Sequence, residues 1–214
     1  TEKNILQKNL SIIALSTASA VSVTGLAFIS PVILLIKDHY SVSSNEVQLT
    51  ITIYLVAICI SQVFWGPLSD LIGRRIVLII GASLFSLGGI LASLNLAFEV
   101  FIFFRFLQGI GAAACLSMPR VMLTESYGVK KAAAKMSTLL AFMAIFPILS
   151  AAFGGYVGEN YGWEINFLIL FVFGGVVFSL NYAYSPETIK NNSKRITLRT
   201  TFLDFRYLFG QTSF

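Results

Sequence analysis

An all-α membrane protein that crosses the bilayer six times is the fold class this sequence predicts, on three observations. Only 12% of its 214 residues are charged, about half the share of a soluble domain, while 56% are hydrophobic and mean hydropathy is +0.80. The apolar residues fall into six long segments with short polar connections. Lys and Arg gather in one alternating set of those connections. Apolar surface on this scale exceeds what a single soluble core buries and calls for lipid as solvent.

Residues 1–10 are polar and precede a first apolar segment, 11–36. That segment is longer than the roughly 7–15 apolar residues of a cleavable signal, so it is expected to remain as a span. The others are 47–66, 76–95, 99–123, 132–157 and 164–184. At about 1.5 Å per residue each crosses a hydrocarbon core of about 30 Å, some with tilt. The connections are 37–46, 67–75, 96–98, 124–131 and 158–163. Residues 185–214 turn polar and basic, with Phe202, Phe205, Tyr207 and Phe209 interleaved, the pattern of an amphipathic segment on a membrane surface.

Loop charge sets the orientation. One side collects Lys3, Lys8, Arg74, Arg75, Lys130, Lys131, Lys135, Lys190, Lys194, Arg195, Arg199 and Arg206. The other has Lys37 against Asp38, Glu46, Glu99, Glu159 and Glu164. Positive-inside bias places both termini in the cytoplasm. It also accounts for the net charge of +5 with no nucleic-acid partner. Cys59 and Cys115 sit inside apolar segments and read as small buried hydrophobes. His39 has no Cys or His nearby, so neither a metal site nor enzymatic chemistry is expected.

Pro31, Pro119 and Pro147 interrupt their spans and are expected to kink them. The many intramembrane glycines suit close helix packing. Gly66, Ser69, Asp70 and Gly73 are echoed by Gly155, Gly158, Glu159 and Gly162 at a constant offset, as two three-helix units of opposite topology would produce.

The stretch Gly66-Pro67-Leu68-Ser69-Asp70-Leu71-Ile72-Gly73-Arg74-Arg75 concentrates charge between two apolar spans. Gly66 allows close backbone approach, Pro67 is expected to end the second helix, and Gly73 permits a tight turn. Asp70 can accept from Arg74 or Arg75, or cap a helix. A rigid polar hairpin that latches to its neighbours suits a moving bundle, although a plain topogenic loop would also carry two arginines. In span four, Arg105 lies about two turns inside the membrane, where a cation costs about 2.5–3.5 kcal/mol on insertion scales. It either serves function, snorkels to the interface, or bonds statically to Gln108 or Gln62.

The Gly66–Arg75 stretch resembles the signature between the second and third helices of the major facilitator superfamily, more narrowly the Bcr/CflA branch of drug–proton antiporters. Glu46-Val47-Gln48, Gln62, Arg105-Phe106-Leu107-Gln108-Gly109-Ile110-Gly111-Ala112-Ala113 and Phe153-Gly154-Gly155 with Gly162-Trp163 are similar to that branch too. The resemblance implies one half of a major facilitator fold, built as two inverted three-helix units. It implies a gating latch of Gly66, Asp70, Gly73, Arg74, Arg75, Arg120 and Glu125. Coupling or substrate contact falls to Arg105, Gln108 and Gln62, and the helix-five motif to Pro147, Gly154 and Gly155. The implied activity is secondary transport without a cofactor, driven by the proton gradient, and exporting small amphipathic compounds across the inner membrane. Metabolite or anion uptake is the alternative.

Thr124 stands where the family often has a second arginine, Ser150-Ala151 where it has Gly-Pro, and Leu26-Ala27-Phe28-Ile29 where the first helix often carries an acid. The family has twelve helices, so this chain is expected to be a fragment, a split-transporter subunit pairing with a second six-helix half, or a non-transporting truncation.

Overall fold

A computed structural model describes residues 2–189. Among them are six helices long and apolar enough to span a membrane: span 1, Gln7–Tyr40; span 2, Ser44–Ile72; span 3, Arg74–Ala92; span 4, Phe98–Gly128; span 5, Lys130–Tyr161; and span 6, Trp163–Tyr184. The surface-lying segment expected within 185–214 falls outside the described residues beyond Ile189.

Hydropathy located every span but not its ends. Helix already begins at Glu2, so most of 1–10 is continuous with span 1 rather than separate from it. Span 2 runs on to Ile72, and Pro67 lies inside it instead of ending it. The segment 124–131 is not a loop: helix continues to Tyr161 with one break at Gly128, where φ is 70° and ψ is 155°. Apolar length reports the thickness of hydrocarbon, whereas helix persists through the headgroup zone wherever nothing breaks it. Pro67 removes only the donor to the Val63 carbonyl, a local loss at the wet end of the helix. At the start of span 2, Ser43 and Glu46 form a reciprocal capping box, with Ser43 N donating to Glu46 Oε2 at 2.8 Å and Glu46 N to Ser43 Oγ at 3.2 Å.

Two turns are single residues. Gly73 (φ 110°, ψ 144°) joins spans 2 and 3, and Gly162 (φ 94°, ψ 151°) joins spans 5 and 6. Each closes its preceding helix through its own amide, to Ser69 O at 3.0 Å and to Gly158 O at 3.2 Å. Both φ values lie where a side chain is strained. The 89-residue echo in the sequence is thus an echo of geometry, and the two turns stand at opposite ends of the bundle. At one end Arg74 meets Glu125; at the other His39 Nε2 lies 2.5 Å from Asn95 Oδ1, and Asn95 Nδ2 donates to Glu164 at 3.4 Å.

Packing follows the same symmetry. Span 4 meets span 2 where Trp65 Nε1 donates to Ile110 O at 2.9 Å, and span 1 meets span 5 where Asn166 bridges Phe28 and Gly154. Span 3 lies against span 4 with Gly88 over Gln108; span 6 lies against span 1 with Asn181 Nδ2 donating to Ala14 O at 3.0 Å. Spans 3 and 6 close on each other, with Ser86 Oγ donating to Phe171 O at 2.7 Å. Exchanging 1 with 4, 2 with 5 and 3 with 6 therefore maps the bundle onto itself, the layout of inverted repeats.

Span 1 is broken. Its helix ends at Ala27, a 3₁₀ turn occupies Ser30–Val32, and helix resumes over Ile33–Tyr40. Pro31 has no amide for Ala27 O. Ile29 N turns to Leu26 O (3.2 Å) and Val32 N to Ile29 O (3.1 Å). The carbonyls of Gly25 and Phe28, which those two amides would have served in an α-helix, are left free. Cys115 is buried as expected, but Cys59 is exposed on the outer face of span 2, which presents apolar side chains to its surroundings.

Candidate functional site

Two polar constellations stand out. The first surrounds the Gly73 turn. Because Gly73 ends one helix and starts the next, Asp70 falls on the last turn of span 2 and Arg74 opens span 3. Arg74 pairs with Asp70 and reaches across to Glu125 on span 4, its Nη2 3.2 Å from Oε1. It also donates to Ser69 Oγ and, at 3.4 Å, to Gly66 O. Arg75 turns the other way, donating to Tyr182 O with its guanidinium 5.6 Å from the Tyr182 ring.

Sequence reasoning missed Glu187. This residue, just past span 6, accepts from the backbone amides of Arg74 (3.1 Å) and Arg75 (3.3 Å). Its carboxylate thereby caps the start of span 3, where unpaired amides and the helix dipole favour an anion. Neighbouring Thr188 donates to Glu125. Spans 2, 3 and 4 and the segment leaving span 6 are thus tied together by one cluster. A Pro-Glu pair after an apolar span was the available signal.

Two expected members lie elsewhere. Arg120 stands apart, its Nη2 3.7 Å from Met143 Sδ on span 5. Five residues separate it from Glu125, which at 3.6 per turn sets them about 140° apart around the helix. Gly66 makes no close approach: a Cβ there would meet nothing within 4 Å.

The second constellation is fully buried. Arg105 and Gln108 are both 0% exposed. Arg105 Nη1 donates to Gln108 Oε1 at 2.5 Å, Nε to Thr50 O at 3.3 Å, and both Nη1 and Nη2 to Gly25 O at 3.4 Å. The Tyr54 ring lies 4.4 Å away and the Phe167 ring 5.6 Å, placing the cation over aromatic faces. Among the described residues no carboxylate is a partner of Arg105. Snorkelling is excluded by its burial. Gln62 is not involved: it is exposed and sits 12 positions beyond Thr50, about 18 Å along span 2.

The helix-five motif serves the other freed carbonyl. Asn166 Nδ2, from span 6, donates to Phe28 O at 3.2 Å and to Gly154 O at 3.0 Å. A Cβ on Gly154 would lie 3.1 Å from Phe28 Cα, and Gly155 faces the Pro31 ring, so bare backbone is needed where span 5 crosses the break. Pro147 lies inside the helix two turns earlier. Span 1 is thus held from two sides, by Arg105 at Gly25 and by Asn166 at Phe28.

The family model described as Major Facilitator Superfamily matches residues 15–214. The chain belongs to the Major Facilitator Superfamily. Within that superfamily, it is 26% identical over 197 residues to the bicyclomycin resistance protein homolog of Haemophilus influenzae, covering 92% of this chain and 49% of the relative. It is 30% identical over 175 residues to multidrug resistance protein D of Escherichia coli, covering 81% and 43%. Among solved structures, the proton:xylose symporter XylE bound to 6-bromo-6-deoxy-D-glucose superposes with a TM-score of 0.75 at 15% identity, covering 84% of this chain and 45% of that one. The chain spans about half the length of the curated relatives it matches. The fold is therefore one half of a major facilitator fold, in a multi-pass membrane protein with transporters as its relatives.

Proposed function

We propose that this chain supplies one half of a proton-coupled exporter of small amphipathic compounds, working by alternating access in the inner membrane with both termini in the cytoplasm. The observation that carries this reading is the Arg74 bridge. One guanidinium holds Asp70 on span 2 and Glu125 on span 4 at an end of the bundle where all three side chains are only partly buried, so water can compete for the pairs. A latch that forms in one state and parts in the other needs that weakness. Asp70, Gly73, Arg74, Arg75, Glu125 and Glu187 compose it.

A second six-helix half is the partner. Spans 2 and 5 leave apolar faces uncovered, with Ile60, Val63 and Phe64 on one and Ile148, Leu149 and Phe153 on the other. Substrate sites in transporters built from repeats lie near the midplane. Arg105 and Gln108 contribute to coupling from inside this half: Gln108 Nε2 and the hydroxyls of Ser22, Thr24 and Thr50 are buried without partners. Export of drug-like compounds is favoured by the resistance proteins among the relatives. Uptake of an anion is favoured by one observation instead, that no carboxylate among the described residues lies beside Arg105.

Dye efflux from cells expressing the chain with its second half tests the reading. Efflux that stops on adding an uncoupler, and falls sharply in Arg105→Ala, is expected. Efflux indifferent to both overturns proton-coupled export. Asp70→Asn is expected to shift the inward–outward equilibrium, and an unchanged equilibrium removes the latch.

A further inference from the structure

We propose that a cavity beside the Gly73 turn binds an anionic phosphate group, as the head group of an acidic phospholipid or as a free phosphate. The cavity has a volume of 940 Å³ and is walled by the start of span 1, the break between spans 4 and 5, and the segment leaving span 6. It contains none of the residues around Arg105, and its occupancy does not depend on the transported compound.

Charge identifies the ligand. Lys8 enters from span 1, Lys131 from span 5 and Arg75 from span 3. The two carboxylates on the wall are already engaged. Glu125 accepts from Arg74 and Thr188, and Glu187 from the amides of Arg74, Arg75, Thr188 and Ile189. Among the described residues neither Lys8 nor Lys131 forms an ion pair. The Nε of Arg75 is buried with no acceptor at all. The cavity is therefore lined by three cationic residues, Arg75 also donating to Tyr182 O, with no uncommitted anion among the described residues.

Residues 190–214 contain Lys190, Lys194, Arg195, Arg199 and Arg206 against the single carboxylate Asp204. An external anion would meet the cations on this wall. The cavity opens where the spans end, and basic pockets between helices at headgroup depth suit acidic lipid head groups. Gln7, Ser11 and Tyr127 on the same wall add neutral polar groups around the phosphate oxygens.

Native mass spectrometry of the full chain, taken from nanodiscs containing phosphatidylglycerol and phosphatidylethanolamine, reads the site directly. Wild type is expected to retain phosphatidylglycerol selectively. Lys8→Gln/Lys131→Gln is expected to weaken retention about thirtyfold, the loss that two cations near the surface give. Lys37→Gln, at the opposite end of span 1, is expected to leave it unchanged. Lys8→Arg/Lys131→Arg is expected to keep it, separating charge from folding. A second arm adds inorganic phosphate to lipid-free protein and follows the unfolding midpoint. A rise places free phosphate in the site; no rise, with phosphatidylglycerol retained, assigns it to lipid. Retention equal in wild type and the double glutamine variant, or no selectivity for phosphatidylglycerol with no response to phosphate, overturns the proposal.

Discussion

Both terminal nitrogens of Arg105 donate to the carbonyl oxygen of Gly25 at 3.4 Å, and that oxygen is free to accept because the span-1 helix breaks before Pro31. A helix break is costly in hydrocarbon, since every orphaned carbonyl must find a donor. Here two donors come from other spans, Arg105 to Gly25 and Asn166 to Phe28. The buried cation and the broken helix each solve the other's problem.

Arg105→Lys is the informative change at this clamp. It keeps the charge but replaces a planar fork with a point donor that cannot reach Thr50, Gly25 and Gln108 together. Leaving buried acceptors unmet costs about 1–3 kcal/mol each. The variant is therefore expected to unfold at clearly lower temperature in detergent micelles. Equal unfolding midpoints for lysine and arginine would show that charge alone suffices.

Asn166 predicts an order of severity. Asn166→Asp puts carboxyl oxygens against the two carbonyls that the amide now serves, whereas Asn166→Ala only removes the donor. Aspartate is expected to be the worse, by roughly the penalty of a polar group buried against its like. The yield of monodisperse protein in size-exclusion chromatography ranks them, and an aspartate variant that matches alanine contradicts the clamp.

At Gly73, alanine meets two obstacles. Its φ of 110° is a region costing other residues about 1–3 kcal/mol, and the Glu187 carboxylate occupies the space a Cβ would take. Gly73→Ala should loosen both the turn and the Glu187 cap. Hydrogen–deuterium exchange at the Arg74 and Arg75 amides is the readout, with faster exchange expected and wild-type protection as the contrary result.

Glu187→Gln isolates the cap itself. It keeps the shape and removes the charge facing the span-3 amides, a loss of about 0.3–1 kcal/mol for an exposed helix terminus. The same two amides are expected to exchange modestly faster while span 4 keeps its protection. A uniform change across all spans would point to global destabilisation instead.

Much of this was legible in the sequence because membranes simplify the problem. Apolar length located six spans, and the offset between Gly73 and Gly162 marked the repeat, although the connections 67–75 and 158–163 shrink to single-residue turns. Helix ends were not legible, since polar residues such as Asp70 and Glu125 extend helices as readily as they form loops. The pairing of Asp70 with Arg74 was legible because the two are neighbours on one turn. The position of Arg120 beside Met143 was less legible, although the helical angle to Glu125 already sets the two apart. Glu187 and Asn166 were missed for a different reason: their partners are backbone groups of Arg74, Arg75, Phe28 and Gly154, and main-chain acceptors and donors leave no mark in residue identity. For Asn166 the hint was two asparagines in an otherwise uncharged stretch of span 6, and for Glu187 the Pro-Glu pair after it.

The buried guanidinium has a consequence for how the chain enters the bilayer. Its acceptors on Gly25 and Thr50 both precede Arg105 in the sequence, by 80 and 55 residues. The costly cation therefore emerges during synthesis after two of the three groups that receive it, with Gln108 following three residues later. Asn166 likewise follows both Phe28 and Gly154, so the donor that completes the other side of the break arrives last. Chain order makes each expensive group meet a waiting partner, and a version of this bundle with its two triplets swapped would have to hold an unpaired arginine in lipid until the first triplet arrived.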